Sequence, residues 1–128
     1  MVLAMVTMTA CSKWTEQCQS AALAFGELDN AYLKMRTAAK RGQREAFQSA
    51  RREFQTSTQK LAAVEVTGER MKAVALRREI EEAVQLAARV ESECEAALTK
   101  KGADFYNALP THSDFVATLS VGRKLDCN

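Results

Sequence analysis

Residues 14–39, WTEQCQSAALAFGELDNAYLKMRTAA, decide the fold. Their small or apolar members fall at Trp14, Cys18, Ala21, Phe25, Leu28, Tyr32, Met35 and Ala39, in steps that alternate between four and three. A strand alternates at every second residue, whereas this spacing keeps one stripe on one side of a helix. The seam is of the coiled-coil type and runs over more than three heptads, which predicts a helix over about residues 12–41.

Downstream, a second seam reads Phe47, Ala50, Phe54, Ser57, Leu61 and Val64. It is one residue out of phase with the first, about 100° around a helix. The shift falls across Gly42 in AAKRGQREAF, where Lys40 and Arg41 suit a last helical turn and glycine suits the position after it. A turn at Gly42 and a second helix over 43–64 follow. A third seam, Ala73, Leu76, Ile80, Ala83, Ala87, Val90, Cys94 and Ala97, is again out of phase. Thr67-Gly68 supplies the break, with Thr67 as an N-cap, and helix three is expected over 68–100, stopping at Lys101-Gly102. ADFYNALPTHSD holds the only proline and the only histidine and reads as a connection. SDFVATLSVGRKL is expected to form a short helix from Ser113 or Asp114 to about Val121, ended by Gly122.

The expected fold class is all-α: an antiparallel helical bundle of three long helices with a short C-terminal fourth helix or tail, in one domain over residues 12–128. Alanine-rich seams allow close approach but bury little area per residue, so a homodimer that completes the apolar seam is a further expectation. The 128 residues are 47% hydrophobic and 27% charged, with five glycines and one proline, an ordinary globular composition. The net charge of +2 does not by itself call for a nucleic-acid or membrane partner. No apolar run reaches the roughly 18–20 residues of a membrane-spanning helix.

Charge is unevenly placed. Lys34, Arg36, Lys40, Arg41, Arg44, Arg51, Arg52 and Lys60 crowd one region, while Glu79, Glu81, Glu82, Glu91, Glu93 and Glu95 mark the third helix. Lys40, Arg41, Arg44, Arg51 and Arg52 form a candidate basic interaction face. No readout motif accompanies it, so a solvated face paired with helix three is preferred and a nucleic-acid partner is disfavoured. The acidic cluster in RREIEE reads as a charged stripe around Ile80 rather than a catalytic dyad.

Catalytic and cofactor motifs are missing. There is no Glu-x-x-His, no Cys-x-x-Cys-His, no paired cysteine spacing for zinc and no phosphate-binding glycine loop. No cofactor, metal or catalytic residue is assigned, and a non-enzymatic protein acting through protein–protein contacts is expected. His112 reads as a solvated loop residue. The aromatic residues Phe105, Tyr106 and Phe115 either cover the core or form a binding patch.

The four cysteines are Cys11, Cys18, Cys94 and Cys127. Cys18 and Cys94 lie on apolar seams at opposite ends of an up-down-up bundle, too far apart to bond. A returning tail brings Cys127 toward Cys18 or Cys11, and Cys18 with Cys127 is the candidate disulfide. Four reduced thiols in a cytosol are the alternative.

The chain opens with MVLAMVTMTACSKW, uncharged until Lys13. Met8-Thr9-Ala10-Cys11 resembles the lipobox of bacterial lipoproteins, in which a small residue precedes a cysteine that is lipid-modified and becomes the new N-terminus. Ala10 and Thr9 match that pattern, Met8 stands where Leu, Val or Ile is usual, and Ser12 resembles the residue that follows in outer-membrane-sorted members. The resemblance makes Cys11 the candidate lipidation site, residues 1–11 a signal, and the cell envelope the compartment, with the folded domain on the periplasmic side. A charged n-region is absent, and the stretch also reads as a helix extension or disordered terminus. Three functions stay open: an envelope-anchored lipoprotein with a protein partner, a cytosolic adaptor or self-associating helical module, and, less favoured, a nucleic-acid-associated protein using the Lys34–Lys60 face.

Overall fold

The computed structural model describes the backbone of residues 2–128 and the side chains of residues 13–128. Five helices follow in order: α1 (Val2–Lys40), α2 (Arg44–Ala62), α3 (Met71–Ala97), α4 (Ala103–Asn107) and α5 (His112–Arg123). Among the described residues there is no strand.

α1 buries Cys18, Ala21, Phe25, Leu28, Tyr32, Met35 and Ala39, together with Ala24, Ala31 and Ala38. That face is wider than a two-stranded coiled-coil seam, because α1 packs against α2, α3 and α5 at once. α2 buries Phe47, Ala50, Phe54, Ser57 and Leu61, and α3 buries the eight positions of its seam, from Ala73 to Ala97. The seams are covered within one chain.

The Gly42 turn is built as its sequence requires. Gly42 adopts φ +64°, its N–H donates to Ala39 O, and Gln43 N–H donates to Ala38 O. These bonds satisfy two of the carbonyls that α1 would otherwise leave open. The turn reverses the chain, and the ion pairs Lys34–Glu53 and Lys60–Glu27 run in opposite senses along α1 and α2. Arg51 reaches α3 in the same way, through Glu91 and Glu95.

The second break lies later than expected, since α3 begins at Met71 rather than residue 68. Gly68 takes φ +98°, outside any helix. Thr67 is not a cap; its N–H donates to Gln17 Oε1 of α1 at 2.9 Å. Arg77 Nη1 donates to Val66 O and Gly68 O, so a side chain of α3 ties down the connection that precedes it.

Three expectations for the C-terminal quarter need correction. The connection contains α4, which Gly102 starts at φ +60° and the buried Phe105 anchors. α5 begins at His112 and runs through Gly122 to Arg123. Gly122 is a packing residue rather than a stop: a Cβ there would lie 2.2 Å from the Phe25 ring. α5 buries Phe115, Thr118, Leu119 and Gly122, one helical stripe, against α1 and α3. Tyr32, Phe54 and Phe115 meet with ring centroids 4.9–6.1 Å apart, joining α1, α2 and α5.

No described helix is long and apolar enough to cross a membrane.

Candidate functional site: an apolar groove and a basic end

The molecule has two unlike ends. At one end the tail after α5 returns to α1, and Cys18 and Cys127 are joined by a disulfide with Cα atoms 5.5 Å apart. Thr15 Oγ1 donates to Cys127 O beside it. Cys11 lies outside the described side chains; its backbone belongs to α1, two helical turns upstream of Cys18. At the other end lie the Gly42 turn, the residues that follow α3, and α4.

Between α2 and α3 an apolar groove starts near the disulfide end. One depression of about 560 Å³ is floored by Val64, Val66, Ile80 and Val84. A second, of about 260 Å³, continues past Val84 over Phe54 and Ala87. The rim carries Arg78, Glu81 and Glu91. The Arg51 pairs with Glu91 and Glu95 close the far end.

The candidate basic face is not one stripe. Arg51 is three-quarters buried and committed to α3. Arg44 and Arg52 stand exposed on α2. Lys40 and Arg41 lie instead with Arg36, Thr37, Phe105 and Tyr106 around a pocket of about 390 Å³ between α1 and α4. Lys40 Nζ sits 5.0 Å from the Tyr106 ring centroid. Sequence reasoning left Arg36 out of this group, and only the position of α4 shows that it belongs.

His112 is not a solvated loop residue. Its Nε2 lies 3.3 Å from Arg36 Nη1 and its Nδ1 lies 2.6 Å from Tyr32 Oη. A guanidinium only donates, so Nε2 accepts; the neutral ring carries its proton on Nδ1 and donates to Tyr32 Oη. Burial, and then the Arg36 charge, hold the imidazole below its ordinary value. Burial likewise pushes the Tyr32 phenol up. Glu93 accepts from both the N–H and the hydroxyl of Thr111, fixing the start of α5.

Cys94 is fully buried beside this cluster, and burial, followed by the Glu93 charge, pushes its thiol up to about 12. A group that is protonated and closed to solvent at neutral pH is no nucleophile. Glu79 is raised by burial and by Glu82, while Glu81 and Glu82 are exposed. Among the described residues no group of three or more His, Cys, Asp or Glu side chains is placed to hold a metal ion. The arrangement offers surfaces for binding: an apolar groove, and a positively charged pocket with an aromatic wall. Comparison with known proteins finds no match, whether to family models, to curated proteins or to solved structures.

Proposed function

We propose that this chain is an exported helical module, tethered to a membrane by a lipid on Cys11, that works by seating a helix of a partner protein. In this reading residues 12–128 are an antiparallel bundle of three long helices, with the short α5 returning along them at the C-terminal end. The Cys18–Cys127 disulfide carries the argument for export, since such bonds persist in oxidising compartments and are rare where thiols are kept reduced. The lipobox resemblance puts the tether two turns from that bond, so the anchor and the covalently closed end share one side of the molecule.

The α2–α3 groove supports the binding half of the reading. From Val74 to Glu91 it follows α3 for about 25 Å at 1.5 Å per residue, the length of an amphipathic helix of between four and five turns. An apolar floor with a charged rim suits that mode of recognition.

The test is expression from the native upstream sequence in a bacterial host, with a photo-crosslinking residue at Val84 in the groove or at Ser92 outside it. The expected species is membrane-bound, begins at a lipid-modified Cys11, holds Cys18 and Cys127 oxidised, and crosslinks to one protein from Val84 but not from Ser92. A soluble species that retains residues before Cys11 and has reduced cysteines overturns export and favours the cytosolic module. Equal crosslinking from both positions overturns the groove.

A further inference from the structure

We propose that the basic end binds an organic phosphate, with Arg36, Lys40 and Arg41 holding the phosphate and Tyr106 covering the group that bears it. This site lies at the end opposite the disulfide and does not depend on export or on the groove.

Arg36 and Lys40 stand at i and i+4 on α1, Arg41 follows in the turn, and the three line one pocket. Among the described residues Arg36, Lys40 and Arg41 meet no carboxylate, and neither do Arg44 and Arg52 on α2; what sets the three apart is that they line one pocket beside an aromatic wall. The C-terminal dipole of α1 amounts to about half a charge and is answered by a single cation in the last turn. Two cations beyond that need, one of them a turn earlier at Arg36, leave the pocket positive. The Leu98 carbonyl lies 3.5 Å from a Cβ placed at Gly42, which brings the end of α3 against the α1–α2 turn beside the pocket. Glu45 and Asp104 lie in the first turns of α2 and α4, and Glu93, bonded to Thr111, acts on Tyr32 and Cys94 against the Arg36 charge from the buried side.

The opposite wall is set by α4. Phe105 is buried and fixes the short helix, which turns its neighbour Tyr106 outward, 53% exposed. The Thr37 side chain adds a hydroxyl to the lining. A lone carboxylate neutralises one cation; a phosphate monoester carries close to two charges on three acceptor oxygens and matches guanidinium donors. At about 390 Å³ the pocket exceeds a bare phosphate, and Phe105 and Tyr106 supply the aromatic part of its lining.

The protein has one histidine, and His112 is bonded to Arg36, so its ring signals report on the site. The experiment titrates the full chain with phenyl phosphate, inorganic pyrophosphate and phenylacetate while following the His112 and Tyr106 resonances. A parallel arm uses vesicles of phosphatidylcholine with and without phosphatidylglycerol. Saturable shifts with phenyl phosphate, weaker or absent with phenylacetate, are expected. Lys40→Gln/Arg41→Gln should weaken binding about tenfold or more, since each charge-assisted bond is worth roughly that factor. Arg44→Gln/Arg52→Gln, which removes the same charge outside the pocket, should leave binding unchanged. Binding to phosphatidylglycerol vesicles alone, lost in the Lys40/Arg41 variant, would assign the phosphate to a lipid headgroup. Equal loss in both double variants, equal affinity for phenylacetate, or no saturation with any phosphate overturns the proposal. All four substituted residues are exposed, and the unliganded His112 signals verify that each variant folds.

Discussion

Phe25 occupies the space beside Gly122 where any other residue would carry a side chain, so the approach of α5 to α1 rests on one missing methyl group. A Cβ at Gly122 would meet three ring carbons of Phe25 at 2.2–2.4 Å. Gly122→Ala is therefore expected to destabilise the fold by about 1–3 kcal/mol or more, by overpacking. Gly26, also in α1, has nothing within 4 Å of an added Cβ. Gly26→Ala is expected to stabilise by about 0.4–1 kcal/mol, through the entropy of the unfolded chain. Urea unfolding of the two variants reads both signs, and a Gly122→Ala protein as stable as the parent would show that α5 does not pack on α1 as described.

At the scale of elements, the junction of α1, α3 and α5 makes stability depend on pH from both sides. Cys94 is raised from 9.0 to about 12, so its contribution is whole below pH 9 and is lost as pH rises toward 12. His112 is lowered from 6.5, so its contribution is whole above that value and is lost as pH falls through the folded value. Urea midpoints across pH should fall on both limbs, with Cys94→Ala making the alkaline limb shallower from pH 9 upward while the buried Tyr32 phenol still contributes above 10, and His112→Gln flattening the acid limb. A Cys94→Ala profile that matches the parent above pH 9 would remove the thiol from this account. The long helices and the Gly42 turn were legible because their signals are local: a repeating stripe, then a glycine where the stripe changes phase. α4 and the end of α5 were not. Gly122 before Arg123-Lys124 has the look of a helix stop, and its reason, Phe25, lies 97 positions away. His112 sits in a segment whose only local cue is Pro110, while its partners Tyr32 and Arg36 are in α1. The basic face failed as a stripe for a similar reason: which cations are neutralised depends on the neighbour that α3 or α4 presents, and charge runs along the chain do not contain that.

For the whole molecule, the disulfide closes a loop with a sequence separation of 109 residues. Removing it frees the unfolded chain and is expected to cost about 2–5 kcal/mol. Cys127→Ser, or reduction of the parent, should lower the melting temperature accordingly and loosen the tail at Thr15; an unchanged melting temperature would mean that the bond contributes no net stability. The same bond also sets how the molecule bears load. A pull that enters the chain ahead of Cys18 and leaves it beyond Cys127 passes through two sulfur atoms. The helices, the apolar groove and the basic pocket hang beside that path as a closed covalent ring, slack while the segment outside them is taut, so tension on the chain's two ends leaves groove and pocket in their resting shape.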